Sequence, residues 1–196
     1  MAIEIKRPVF LCGENPGMTL YKSDAEQILA IVSYWHVTYS PHGTGNALVM
    51  WLDESIPFPA GIFTDNIPLA QILVNTLIQH FPEFKNFPIS KLPYHSSHCQ
   101  HIFKNDRYIA SCSSGKNKIT VEWSEMLDQK SLSWVNFPIG DQNFDLNTVI
   151  CPCNSGTLSI NEINVMGKVK TGLSSDNMPS SSAFLAFAES WVGPNP

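Results

Sequence analysis

The residues best equipped for chemistry lie in Tyr94-His95-Ser96-Ser97-His98-Cys99-Gln100-His101, which gathers three of the six histidines and one of the five cysteines. Imidazole and thiolate bind divalent transition metals, so His95, His98 and His101 form the candidate metal set. In a helical turn or loop His95 and His98 would converge. In a strand His98 and His101 would point to opposite faces, because odd separations alternate. Cys151-Pro152-Cys153 offers a second pair, with both sulfurs on one side of an extended chain. Neither stretch has a zinc pattern of the His-Glu-x-x-His or paired Cys-x-x-Cys kind, and the sequence designates no cofactor. A Cys–His nucleophile pair, Cys99 or Cys151 with His101, is open on residue type alone. The Gly-x-Ser-x-Gly elbow, the Gly-x-Gly-x-x-Gly turn and the phosphate loop are absent, which argues against the enzymes built on them.

Acid–base chemistry needs only one or two titratable groups in an apolar pocket, where burial moves their pKa toward the working pH. Four residues are candidates for that catalytic role: His36, Asp65, His101 and Glu122. Glu122 alternates with Val121 and Trp123, so it faces either solvent or the interior of a barrel. Asp65, in Phe63-Thr64-Asp65-Asn66, is either a helix cap or a pocket-rim carboxylate. His36 lies opposite Trp35 and Val37 on an alternating segment. Trp35, Trp51, Trp123 and Trp134 are the candidate ligand-binding aromatics, suited to a flat, apolar organic molecule.

One strongly helical stretch and many strands must position these groups. Leu69, Ile72, Leu73, Thr76, Leu77 and His80 or Phe81 recur at three- and four-residue steps, predicting a helix over about 67–81 with Thr64, Asp65 or Asn66 as cap and Pro68 in the first turn. Ser23 and Glu26 have capping-box spacing before Ile28 and Leu29, predicting a short helix near 24–31. A further short helix is expected near 182–191, with Phe184, Phe187, Ala188 and Trp191 on one face; a strand is the alternative there. Elsewhere short alternating segments separated by Gly, Asn, Asp and Pro read as antiparallel strands. Asn154-Ser155-Gly156 reads as one of the turns between them.

Length and composition bound the rest. A chain of 196 residues with 43% hydrophobic and 15% charged residues fits one domain with one well-buried core. Its net charge of −5, without a basic cluster, argues against nucleic acid as a partner. No apolar run is long enough for a membrane span or a signal peptide. The odd, widely spaced set of cysteines fits a reducing compartment, so a cytoplasmic location is expected.

The expected fold class is therefore α+β, predominantly antiparallel β: a curved sheet or barrel of about eight to ten strands with the main helix packed on it. An open sheet with two helices on one face is the alternative. The meander of strands with one helix is similar to calycin-type barrels, and that resemblance implies a hydrophobic small-molecule ligand and, in some branches, cyclisation or isomerisation. The first functional reading is a protein that binds an apolar or aromatic small molecule and acts on it by acid–base chemistry as an isomerase, cyclase or lyase. A metal-dependent hydrolase or lyase at His95, His98 and His101 is the second. A non-catalytic assembly protein forming a homo-oligomer is the third.

Overall fold

Period-two apolar alternation dominates the chain, and most of it is extended. The computed structural model describes residues 7–23 and 26–194. Its strands are Val9–Glu14 (β1), Gly17–Tyr21 (β2), Ile28–Tyr39 (β3), Gly45–Leu52 (β4), Gly61–Thr64 (β5), Tyr94–Ser96 (β6), His98–Lys104 (β7) and Arg107–Ser114 (β8). They continue as Asn117–Met126 (β9), Lys130–Ile139 (β10), Gln142–Ile160 (β11), Ile163–Asn164 (β12), Thr171–Leu173 (β13), Pro179–Ser181 (β14) and Ala183–Val192 (β15). The one α-helix among the described residues is Ile67–Thr76 (α1). The architecture is thus β-rich α+β.

A 13-stranded sheet follows the path β6-β5-β4-β3-β1-β15-β11-β9-β8-β7, with β10 and β12 on β11, and β2 on both β15 and β3. The strands β5 and β6 run parallel, whereas the hairpins β3–β4 and β8–β9 are antiparallel. No closed barrel of the calycin kind forms, because the path ends on two separate edges, β6 and β7. Those edges approach through Ser97, whose N–H donates to the Thr64 carbonyl at 2.8 Å, and through Cys99 Sγ, 3.7 Å from the Phe63 carbonyl.

Both faces of the central strands are buried. Ala30, Val32 and Tyr34 enter one apolar cluster with Leu48, Phe63, Trp123 and Leu158, while Ile31, Trp35 and Val37 enter a second with Leu73, Phe81 and Trp191. Burial on two sides turns alternation into a continuous apolar run, which periodicity alone cannot separate from a buried helix. That is why the expected helix near 24–31 is instead the start of β3, whose Ile28 pairs with Tyr21 and whose Ala30 pairs with Leu52; Asp24 and Ala25 lie outside the described residues. The expected helix near 182–191 is likewise β15, held between β1 and β11. Asn154-Ser155-Gly156 is not a turn but the middle of β11, which pairs with β10 and β15 through its first half and with β9 through its second.

The helix covers the second cluster with Leu69, Ala70, Leu73 and Val74. It is shorter than the expected 67–81: the α-helix stops at Thr76 and a 3-10 turn, Ile78–His80, carries the chain to Pro82. Asn66 is the cap, its side-chain oxygen accepting the Leu69 N–H at 3.2 Å. Replacing it with Ala is expected to cost about 1 kcal/mol, read as a lower urea midpoint at unchanged slope.

Cys99 and Cys112 face each other across β7 and β8 and are joined by a disulfide, unlike the free thiols expected of a reducing compartment. Among the described residues no helix is long and apolar enough to cross a membrane.

Candidate active site

Strand parity brings six polar side chains to one end of the first apolar cluster. On β3, Tyr34 and His36 continue the inward face of Ala30 and Val32. Glu14 of β1 pairs with His36, as does Asn46 of β4, and directly paired residues share a face. From the far edge, β7 and β8 add His101 and Tyr108. The His36 and His101 rings lie 4.3 Å apart between centroids. Tyr108 is stacked on His101 at 5.4 Å.

Hydrogen bonds order the cluster. Asp65 accepts from the Asn46 backbone N–H at 2.6 Å and from its side-chain N–H at 2.7 Å. This turns the Asn46 carbonyl oxygen inward, where it accepts from the Tyr34 hydroxyl at 2.9 Å and meets His36 Nδ1 at 2.9 Å. A carbonyl oxygen only accepts, so His36 carries a proton on Nδ1 and directs Nε2 away from Asn46. Opposite, the Tyr108 hydroxyl donates to Glu14 Oε2 at 2.7 Å, and His101 Nε2 lies 3.9 Å from the same oxygen.

The electrostatics favour a neutral His101. Burial, and then His36, lower its pKa from the usual imidazole value, with Glu14 opposing them. Burial raises both tyrosines well above the ordinary phenol range. Asp65 and Glu14 reinforce the shift at Tyr34, and the hydrogen bond to Glu14 reinforces it at Tyr108. Both phenols therefore stay protonated, and His101 is a base whose imidazolium would face the Glu14 carboxylate. Phe103 and Phe187, 5.6 Å apart, stand beside Tyr108, and an open groove of about 480 Å³ runs past Glu14 and Phe187. The mouth thus gathers two imidazoles, a carboxylate and an aromatic wall, and the groove borders it at Glu14 and Phe187.

The structure gathers His36, Asp65 and His101 here, with Asp65 acting through Asn46 rather than as the helix cap. Glu122 is elsewhere: it points away from buried Val121 and Trp123 and lies 3.4 Å from Arg107. Nor do the tryptophans line one cavity. Trp123 lies beneath the site, its Nε1–H donating to the Gly17 carbonyl at 2.9 Å and its ring set edge-on to Tyr108. Trp35 is buried on the helix side beside Phe81, Trp51 packs on Phe87, and Trp134 is half exposed on β10.

The metal set does not assemble. His95 stacks on Phe63, His98 is exposed and His101 belongs to the mouth cluster; among the described residues no three His, Cys, Asp or Glu side chains group as metal ligands. The odd spacing of His98 and His101 on one strand separates them. Cys99 is in the disulfide, and Cys151 and Cys153 are buried thiols with raised pKa, the latter pushed up to about 12 chiefly by burial. Neither supplies a thiolate near neutral pH.

Sequence reasoning missed Glu14, Asn46, Tyr34 and Tyr108. Glu14 and Asn46 sit at strand ends beside turn-like sequence, where no local signal marks them. Tyr34 shares the parity of His36, and that signal was present.

No protein-family model matches this sequence, and no curated protein matches it. Among solved structures, the chain is similar to an acetoacetate decarboxylase at 12% identity and a TM-score of 0.45, covering 96% of this chain and 88% of that one. It is also similar to acetoacetate decarboxylase from Legionella pneumophila subsp. pneumophila str. Philadelphia 1, at 13% identity and a TM-score of 0.44, covering 95% and 84% of the two chains.

Proposed function

We propose that the protein is an acid–base enzyme of the isomerase or lyase type, acting on a small apolar or aromatic organic molecule at the His36–His101 mouth. The observation that carries this reading is the pair of imidazole rings 4.3 Å apart, one oriented through Asn46 and Asp65 and the other facing Glu14. His101, neutral near pH 7, takes a proton from carbon or oxygen, and Glu14 stabilises the imidazolium that results. His36, with Nδ1 held, presents Nε2 as a second proton acceptor. The rings of Phe103 and Phe187 hold the apolar body of the substrate. Amine catalysis through a Schiff base would need a desolvated lysine, and no lysine among the described residues is buried.

The test is exchange of the α-protons of phenylacetone in deuterium oxide, followed by proton NMR. The enzyme is expected to accelerate exchange, and His101→Gln to slow it by about 10²-fold or more, while Glu122→Gln leaves it unchanged. The rate should fall as pH drops through a value below the usual 6.5 of imidazole, because His101 is then protonated. Exchange no faster than in buffer, or equally fast in His101→Gln, would overturn the proposal.

A further inference from the structure

A second cleft, of about 280 Å³, opens on the other face of the sheet between the chain that follows α1 and strands β10, β11 and β15. An irregularity in β15 builds it. Ala183 and Leu185 point into the first apolar cluster and Phe187 packs against it, so simple alternation would send residues 189 and 191 the same way. Instead Val149 of β11 pairs with Phe187 and Asn147 with Ser190, so two residues of β15 oppose one of β11. Ala188 takes φ +50°, a left-handed conformation uncommon for a non-glycine residue. The extra residue reverses the parity, and Trp191 joins the second cluster. Glu189 turns with it and lines the cleft.

Glu189 is only 4% exposed. Its Oε1 accepts the Trp191 Nε1–H at 2.5 Å. Phe81, Trp134 and Phe137 also line the cleft, and Glu83 and His80 stand at its helix side. No lysine or arginine is among the lining residues. Two carboxyl groups therefore share an aromatic cavity with no permanent cation, although a buried charge is ordinarily paired. Aromatic faces also attract cations.

We propose that this cleft binds a small organic amine, with its ammonium group on Glu189 and its apolar body against Phe81, Trp134 and Phe137. His36 and His101 are not among its lining residues, although Glu189 also borders the groove that runs past Glu14. A neutral alcohol or ketone of the same shape fills the walls equally well but brings no positive charge to pair with the carboxylate that forms when Glu189 gives up its proton, so the amine is preferred. Desolvation raises Glu83 and pushes Glu189 up to about 8, where the Trp191 N–H only partly opposes it. Near neutral pH Glu189 is therefore protonated, and seating an ammonium ion on its carboxylate releases that proton. Glu83 and His80 are the other titratable groups lining the cleft, and β10 and β11 line it with none. The affinity for an ammonium ion should rise by up to about tenfold per pH unit between pH 6 and 8.

Isothermal titration of the full chain with phenethylamine, and with phenethyl alcohol as the neutral isostere, tests this. The amine is expected to bind at least about tenfold more tightly than the alcohol, with a heat at pH 7 that depends on the buffer's ionisation enthalpy because a proton leaves. Glu189→Gln retains a carbonyl for the Trp191 N–H and should weaken amine binding at least about tenfold, whereas His101→Gln should not change it. Trp134→Ala, at a half-exposed position on β10, should also weaken binding, and it decides the matter if Glu189→Gln fails to fold. Equal binding of amine and alcohol, undiminished amine binding in Glu189→Gln or Trp134→Ala, or no amine binding at all would overturn the proposal.

Discussion

Gly13→Ala is expected to destabilise the fold by about 3 kcal/mol and to dismantle the mouth site together with it. A Cβ at this position would lie 2.1 Å from the His36 carbonyl oxygen, 3.0 Å from its carbon and 3.1 Å from the Val37 Cα. All three are backbone atoms of β3, so no side chain can swing aside. The methyl group must push β1 away from β3, breaking a ladder in which Gly13 pairs with Val37 and Glu14 with His36. Glu14 then leaves the Tyr108 hydroxyl, and His101 loses its carboxylate partner. A useful contrast is Gly115→Ala, where a Cβ meets nothing within 4 Å and only the φ of +59° opposes the change; about 1 kcal/mol is expected there. Urea unfolding of both variants, alongside the phenylacetone exchange rate, reads the two effects. A wild-type midpoint for Gly13→Ala would show that the close approach of β1 and β3 is absent in solution.

Glu189→Gln should do the opposite and stabilise the protein as pH rises. Burial holds the Glu189 carboxyl at about 8 against an ordinary 4.5. Between those values the folded protein keeps a proton that the unfolded chain gives up, so more protons are bound in the folded state and stability falls with increasing pH. At pH 7 the accumulated cost is about 3 kcal/mol. Glutamine removes it while still accepting the Trp191 N–H, so the two proteins should be nearly equal near pH 4.5 and diverge steadily up to about pH 8. Urea midpoints across that range provide the measurement. Parallel curves for the two proteins would mean that Glu189 ionises freely and is not desolvated by the cleft. An ammonium ligand changes this balance, because its charge offsets the burial of the carboxylate; phenethylamine should therefore stabilise the wild type more than Glu189→Gln.

Much of the local structure could be read from residue order. The i, i+3, i+4 apolar recurrence from Leu69, the proline in the first turn and Asn66 ahead of it mark α1, because a helix carries its capping and amphipathic information within a few residues. The turns at Asn105–Asp106 and Gly115, with their positive φ angles, are equally local. The errors fell where burial was two-sided. In β3 and β15 both faces are apolar, so the pattern that distinguishes a half-buried strand disappears and helical spacing can be found by coincidence. A cap motif such as Ser23 and Glu26 cannot outweigh the pairing of β3 with β2 and β4.

Residue order by itself determined a β-rich chain with one main helix, a low-charge interior, and the chemical types at His36, Asp65 and His101. Only the tertiary structure decided that these three share one mouth, that Glu122 and the histidines at 95 and 98 stand apart, and that Glu14, Asn46 and Tyr108 complete the cluster. Packing within the curved sheet joins side chains as distant in sequence as Glu14 and Tyr108, and a single extra residue in β15 re-aims Glu189 and Trp191. Register is a collective property of the packed sheet, set by which faces can be buried together, so no short stretch of sequence contains it.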